Sequence, residues 1–538
     1  MGISNLWKAV KPAAQTQSLT KIVRELSSQI EGGIPCIGVD LSPLMDECIA
    51  ATMPQGVNGR LPGGPLYIFF NKLVAFMKVR ATYVFVLDGA ERPAVKREHK
   101  VHTYVWWSGI AKELILAFGF HVHHAPGEAE AELSMLNRHS AIDAIITSDS
   151  DALVFGARTI IRPVPITSNS VSQHGRNMYE IYTDSRVEQT TSLTHGGLIL
   201  FALLNGGDYD GGILGCGPKS ASGLARSGYG DQLLSAAQTC RDSWEFAQFT
   251  NAWCQSVVCE LRTNSRGHNP SRQPVLAMSL EMSDFPKYDI LMLYVSPTVS
   301  DYRGSGFLWE RWRVVREPHL NEIKTFCRQQ LRWTEGSILE KKFKSLLFPA
   351  VVQRMLISPM TLYESSERKL ISPTLQVQVS SVQWKKRKGH PAKECINPGD
   401  KQPQLHVDAT LLFAASGCQA TQAGSSNPAH RNCSPSDNTL LVWPLPETLP
   451  TELSPANFKQ SSGDSQAASS RLTRVASLDL DESPPNFFKH CSSRAGSITQ
   501  PAIPNSPVSA TIDLTLPSSF NSSELADYSE IIDLTSSP

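Results

Sequence analysis

The sequence predicts an α/β fold around a mainly parallel sheet up to about residue 235, on two observations. Short β-rich runs alternate there with helical stretches, the pattern of strands joined by crossover helices. Three of these runs, Cys36-Ile-Gly-Val-Asp40, Tyr83-Val-Phe-Val-Leu-Asp88 and Ala144-Ile-Ile-Thr-Ser-Asp149, read as buried strands that end on an aspartate. Ligands of parallel α/β sheets sit beyond the carboxyl ends of the strands, so the three aspartates are expected on one rim. Separately from the fold, the glycine-rich run from Gly206 to Leu224 opens a helix at Pro218, a first-turn position that proline favours.

From about residue 236 to 350 the pattern turns helical, with Trp, Leu and Phe at helical spacing between Phe307 and Phe348 and Arg or Lys between them. This reads as a helical extension wrapped on the first domain. Thr374-Leu-Gln-Val-Gln-Val and Gln404-Leu-His-Val, on either side of Trp384-Lys-Lys-Arg-Lys388, suggest a small β-rich module over 356–415. Beyond 416 the chain is rich in Ser, Pro, Thr and Asn, too poor in apolar groups to offset the entropy of ordering, and a disordered tail is expected over 416–538.

The formal charge is zero, with 50 basic and 50 acidic side chains, which taken whole argues against a strong basic field. By region it separates. Residues 1–300 hold 25 basic and 27 acidic groups, 301–400 hold 18 and 10, and 401–538 hold 7 and 13. Eleven cysteines without a Cys-x-x-Cys pair, several of them in apolar runs (Cys36, Cys48, Cys216), read as reduced thiols. The amino-terminal segment has no secretory apolar core and lacks the Ser or Thr that myristoylation would want, and no run reaches membrane-spanning length. A soluble intracellular protein without a membrane partner is expected.

The chemistry rests on acidic residues. Besides Asp40, Asp88 and Asp149 there are Asp151, Glu128 and Glu130 in Ala125-Pro-Gly-Glu-Ala-Glu-Ala-Glu132, and Asp208 in Asn205-Gly-Gly-Asp-Tyr-Asp210. Seven carboxylates on one rim would raise each other's pKa unless cations neutralised them. Hard oxygen ligands at partly hydrated sites suit Mg2+, and two such ions would support in-line hydrolysis of a phosphodiester. Each signal alone is weak, since a strand-ending Asp is more often a turn or cap residue. Glu128 and Glu130, two apart, face together only at a helix start, while Glu132 and Asp210 are read as surface groups. Gly215-Cys-Gly217, followed by Lys219 and Ser220, presents free N–H groups at a helix start to a DNA phosphate.

Met1-Gly-Ile-Ser-Asn-Leu-Trp7, Gly38-Val-Asp-Leu-Ser42, Phe85-Val-Leu-Asp-Gly89, Ala125-Pro-Gly-Glu-Ala-Glu-Ala131, Thr147-Ser-Asp-Ser-Asp151 and Gly207-Asp-Tyr-Asp210 with Gly215-Cys-Gly-Pro-Lys219 resemble, in order, the blocks of the XPG family of structure-specific nucleases. The resemblance spans about residues 1–235. It implies a PIN-like α/β nuclease fold with a helix-two-turn-helix duplex grip, and Mg2+-dependent cleavage at single-strand/double-strand junctions, with Mn2+ able to substitute. It maps the family's metal and catalytic carboxylates onto Asp40, Asp88, Glu128, Glu130, Asp149, Asp151 and Asp208, and places Gly2 at the nucleic acid. Only 40 positions separate Asp88 from Glu128, too few for a threading cap. The chain is therefore most similar to the GEN-type Holliday junction resolvases, whose open arch admits branched duplexes and whose nuclease core is followed by a chromodomain-like module, here 356–415. In the arch Arg92, Lys96, Arg97 and Lys100 are interleaved with Trp106 and Trp107. Lys96 and Arg97 are the candidates for steering a phosphate, and the tryptophans read equally well as buried. Gln55 to Gly64 is a junction-facing loop or a plain connection.

The expected organisation is thus an N-terminal nuclease region at 1–100, an internal nuclease region at 101–205, the DNA-gripping helices and helical extension at 206–350, the β module at 356–415 and the tail at 416–538. In the tail Ile512-Asp513-Leu514-Thr515 and Ile531-Ile532-Asp533-Leu534-Thr535 resemble SUMO-interacting motifs, able to add a strand to a partner's sheet. Ser-Pro pairs at Ser434, Ser454, Ser483, Ser506 and Ser537 are candidate kinase sites, and Lys385 to Lys388 a nuclear localisation signal or a DNA-contacting loop. Branched DNA, SUMO, a nuclear location and a monomer that pairs on four-way junctions complete the expectation.

Overall fold

The computed structural model describes residues 2–30, 33–52, 64–93, 95–96, 99–100, 107–164, 178–240, 242–302, 309–385, 402–418, 438–444, 448–453 and 472–474. All fall within one compact unit, Met1–Leu478. Gln55 to Gly63, Arg97, Trp106, Lys386 to Lys388, the five Ser-Pro serines and both Ile-Asp-Leu-Thr motifs lie outside the described residues.

The strands are β1 (Gln15–Ser18), β2 (Cys36–Asp40), β3 (Thr82–Leu87), β4 (Val95–Lys96), β5 (His99–Lys100), β6 (His121–His124), β7 (Ala144–Ile146), β8 (Thr159–Pro163) and β9 (Met178–Thr183). Apart from the β4–β5 hairpin they form a sheet of order β1-β9-β8-β7-β2-β3-β6. The β8–β7–β2–β3–β6 part is parallel, and the β9 and β1 edge is antiparallel. Central strands covered on both faces read as unbroken apolar runs, and all five residues of β2 are buried. Alternation sorts their side chains: Ile37, Val39, Tyr83 and Phe85 enter one core, Cys36, Val84 and Val86 the other. Asp40 is the last residue of β2 and Asp88 directly follows β3, while β7 stops at Ile146, three positions before Asp149.

The second core takes the helices after β9. His195–Asn205 is apolar almost throughout, with Thr194 capping it by accepting from Gly197 N–H at 3.0 Å. It packs against Pro218–Arg226 and Tyr229–Thr239. Side chains are excluded at one crossing: a Cβ on Gly230 would lie 2.2 Å from Gly196 O.

The first core receives the C-terminal helices. The single helical reading of 307–348 resolves into a short turn at Trp309–Arg313, then Leu320–Gln329, Gly336–Lys342 and Phe348–Ile357. Phe70 meets Trp333 edge-on at 5.5 Å. Arg354 is buried where Phe348–Ile357 docks on the sheet, donating to Ala81 O at 2.7 Å and lying over Phe120.

A second, antiparallel sheet follows, from β10 (Leu362–Glu364), β11 (Lys369–Ile371), β12 (Gln376–Lys385), β13 (Gln402–Asp408), β14 (Thr439–Val442) and β15 (Leu472–Arg474). Helix Thr410–Ser416 bears on the nuclease side through Phe413, edge-on to Phe348 at 4.8 Å. The expectation of disorder from 416 onward needs correction. Leu440 and Val442 are buried in β14 and Leu453 is buried beyond it, so a short apolar run suffices to complete a sheet that already offers an edge.

The described cysteines are free thiols, with Cys36 and Cys48 buried and Cys216 half-buried; burial pushes the Cys36 thiol up to about 12. Among the described residues no helix is long and apolar enough to cross a membrane.

His121 joins β6 to the segment after Trp309–Arg313 through a 3.2 Å hydrogen bond between Nε2 and Val314 O. Burial, then the Arg316 charge, lower its pKa to about 4. Between about pH 6.5 and 4 the unfolded chain therefore binds a proton that the native state refuses. Stability present above that window is lost as pH falls through it. Denaturant titrations should show wild type losing on the order of 2–3 kcal/mol more than His121→Gln across the window.

Candidate metal centre and nucleic-acid interface

The carboxylates meet because the loops after three neighbouring parallel strands are fastened to one another. Asp40 stands at the N-cap of helix Leu41–Ala50 and its Oδ2 accepts from Thr147 Oγ1 at 3.0 Å. Asp88 accepts from Ala129 N–H at 2.9 Å and from Ser42 Oγ at 3.0 Å. The loops after β3 and β6 are zipped by Gly89 N–H to Gly127 O at 2.7 Å and Glu91 N–H to Pro126 O at 3.0 Å. Gly89 is required there, since a Cβ would come within 2.0 Å of Ala125 O.

Glu128 is the N-cap of helix Ala129–Arg138 and Glu130 lies in its first turn, the helix start at which both can face one site. The positive end of the helix dipole favours them there. Asp149 N–H donates to Thr147 Oγ1 and Asp151 N–H to Asp149 Oδ1, each at 3.0 Å, so the Thr-Ser-Asp-Ser-Asp turn arranges its own acids. Ile3 N–H reaches Asp151 Oδ1 at 2.9 Å, and Gly2, at φ +80°, is pressed so close that a Cβ would lie 2.1 Å from Asp149 Oδ1.

Three of these groups act on the charge of Asp40. The Asp40 carboxyl is held well above the usual carboxylate range by burial and then by the charges of Glu130, Asp88 and Asp149, with Thr147 opposing. The Tyr209 hydroxyl donates to Glu128, and burial together with Glu128 and Glu130 pushes that phenol up. Asp208 is buried in the same loop, next to Tyr209.

The donor set fits a hard divalent cation. Asp40 Oδ1 is buried without a hydrogen-bond partner, inside a set of like charges that a cation would neutralise. Among the described residues no three acidic, His or Cys side chains stand in metal-caging geometry.

One surface reading needs correction. Glu132 is fully buried: its Oε1 lies 2.7 Å from His123 Nε2 and its Oε2 accepts from Ser300 N–H at 2.8 Å. The helix that carries it is covered on several sides, so its i+4 spacing from Glu128 does not mark a solvated face. Arg92, the first of the arch cations, is tied to the acids. It pairs with Asp88 at 3.0 Å, one turn of chain away. Trp107 is core, edge-on to Phe69 at 5.5 Å. Asp210 is partly exposed as read and pairs with Lys287. Lys96 lies in β4 and Lys100 in β5, whose side chains are outside the described residues.

At helix Pro218–Arg226 the backbone lies open. Cβ atoms at Gly211, Gly215 and Gly217 would meet nothing, Lys219 is exposed and Ser220 half-buried. Leu214, 88% exposed, projects from the same loop. Tyr209 and Thr147 are partners of the acids that sequence reasoning missed; the Gly-Asp-Tyr triplet was the one available signal.

Residues 119–208 match the XPG I-region. The chain is 32% identical over 197 residues to the flap endonuclease GEN-like 1 of Arabidopsis thaliana, covering 32% of each protein. It is 31% identical over 265 residues to the single-strand DNA endonuclease 1 of Oryza sativa subsp. japonica, covering 44% of this chain and 38% of the relative. The chain thus spans about a third of the length of the curated relatives it matches. The fold is similar to that of the eukaryotic junction-resolving enzyme GEN-1 solved with sodium, at TM-score 0.61 and 24% identity over 85% of this chain and 98% of that one. The Holliday junction-resolving enzyme GEN1 with product DNA and Mg2+ superposes at TM-score 0.57 and 23% identity over 83% and 95%. The expected resemblance to XPG-type nucleases and the expected α/β fold are both found.

A raised carboxyl pKa costs stability once the group ionises: the native state holds a proton that the unfolded chain has released. In metal-free protein that cost grows as pH rises above the unfolded value near 4. Asp40→Asn removes it. Thermal melts in chelator at pH 8 should place Asp40→Asn a few degrees above wild type, with the gap closing toward pH 4.

Proposed function

We propose that this protein is a divalent-cation-dependent, structure-specific endonuclease that hydrolyses the backbone of branched DNA, 5' flaps and Holliday junctions, in repair and recombination. The observation that carries the proposal is the buried Asp40 carboxyl, one oxygen held by Thr147 and the other without a hydrogen-bond partner, among Glu130, Asp88 and Asp149 beyond the carboxyl ends of a parallel sheet. The XPG I-region match over 119–208 and the nuclease relatives support it.

Asp40, Asp88, Glu128, Glu130, Asp149, Asp151 and Asp208 would hold two Mg2+ ions, with Mn2+ able to replace them. Bound there, the ions would supply an activated water and stabilise the leaving oxygen. The chain's own residues aim and hold. Thr147 fixes which Asp40 oxygen faces inward, and Tyr209 does the same for Glu128. Arg92 screens Asp88 from one side. The open amides of Gly215 and Gly217, with Lys219 and Ser220, would grip a phosphate of the duplex arm without reading sequence. Lys96, Arg97 and Lys100 would steer the branch from the arch, and Gly2 would abut the DNA at the acids.

A four-way junction needs two symmetric cuts, so a monomer in solution would pair on that substrate. The β10–β15 sheet with helix Thr410–Ser416 would serve as the chromodomain-like module expected at 356–415. The Ile-Asp-Leu-Thr motifs would recruit SUMO or SUMO-modified proteins, and a nuclear location follows from the substrate.

With Mg2+, wild type should cut a labelled 5' flap, a nicked and an intact four-way junction, the last with the steepest dependence on enzyme concentration. Asp149→Asn should bind these substrates as wild type does and cut at least 100-fold more slowly, on the order of the loss of a transition-state interaction. Cleavage by Asp149→Asn at the wild-type rate, or no cleavage by wild type with Mg2+ or Mn2+, would sink the assignment; the second outcome would leave a junction-binding scaffold. Lys219→Ala should flatten the plot of log K against log salt by about one unit of slope.

A further inference from the structure

The buried Glu132 has no place in the chemistry above. It lies one turn after Glu128, its N–H donating to Glu128 O at 3.1 Å. Its carboxylate is fully buried, where an ionised group is costly unless both oxygens are engaged. They are engaged by different parts of the chain: His123 on β6 and the Ser300 amide. The segment carrying Ser300 passes over the turn before Glu128, so tightly that a Cβ on Gly127 would lie 2.6 Å from Thr298 O. The same Gly127 accepts from Gly89, next to Asp88. One carboxylate therefore fastens the helix of Glu128 and Glu130 to β6 and clamps the 298–300 stretch over the hinge between that helix and the Asp88 loop.

We propose that Glu132 is a positioning residue for the metal centre. By holding Ser300 and His123 it keeps the Gly127 turn closed, so that Glu128 and Glu130 stay in reach of Asp40 and Asp88 and the cation meets an arranged set of oxygens. The proposal rests on the metal-site reading. It does not give Glu132 contact with the ion or with DNA. Partners that orient metal ligands typically matter 10–100-fold for affinity. Glu132→Leu keeps the volume and loses both acceptors, whereas Glu132→Gln keeps an acceptor for the Ser300 amide.

The test uses the full chain without DNA, reading Mn2+ affinity by electron paramagnetic resonance and amide hydrogen exchange well below the melting temperature. Glu132→Leu should bind Mn2+ about 10-fold more weakly and exchange faster at Ser300 and at the Ala129–Glu130 amides, while Glu132→Gln stays within about 3-fold of wild type. A merely structural role would lower the melting temperature and leave the Mn2+ affinity of the folded protein unchanged; that result overturns the proposal. Should Glu132→Leu not fold, Ser300→Pro removes the same hydrogen bond from the loop side. Wild-type Mn2+ affinity in folded Ser300→Pro also overturns it. If wild type itself binds no Mn2+, the metal-site reading fails and takes this one with it, whereas normal wild-type binding with unchanged variants defeats the positioning role alone.

Discussion

Like charges gathered beyond the carboxyl ends of β2, β3 and β7 are the constraint on which the rest of the structure depends. Burial first, and then the charges of Glu130, Asp88 and Asp149, hold the Asp40 carboxyl above the usual carboxylate range. Such a set persists only if the scaffold is stiff. Here the stiffness comes from backbone hydrogen bonds between the loops themselves, Gly89 to Gly127 and Glu91 to Pro126, and from a parallel sheet packed on both faces. The fold spends stability to keep acids together, and a divalent cation bound there would return it.

The remaining acids and the cations near them fall into place around this centre. The zero net charge hides a basic stretch at 301–400 and an acidic tail. In the structure part of the basic count is already committed within the protein: Arg92 to Asp88, Arg313 to Asp143, Arg354 to a carbonyl inside the core. Exposed cations include Lys219 beside the open glycines, and Arg311, Arg316, Arg328, Arg332 and Lys341 in the basic stretch. Neutrality of the whole chain therefore says little about whether it meets DNA.

Much of the arrangement is legible in the sequence because it follows from local pattern. A fully buried parallel strand reads as an apolar run, so Asp40 and Asp88 declare their place at strand ends, and the Gly-Cys-Gly-Pro run declares a helix start. Contacts between distant positions are not legible in this way. Tyr209 meets Glu128 across 81 positions, and Glu132 meets Ser300 across 168. Glu132 was misread because i, i+4 acids usually mark a wet face, whereas this helix is enclosed by β6 and the 298–300 stretch. Trp107 was ambiguous because buried and DNA-stacking tryptophans look alike in sequence. β14 was lost in a polar tail because Leu440 and Val442 need only two inward positions to complete an existing sheet.

The most direct test of the central claim is anomalous diffraction from crystals of the full chain soaked in Mn2+. The account predicts density for Mn2+ among Asp40, Asp88, Glu130 and Asp149, with Asp40 Oδ1 now coordinated. Mn2+ bound elsewhere, or an empty cluster in protein that still cuts branched DNA with Mn2+, would contradict it.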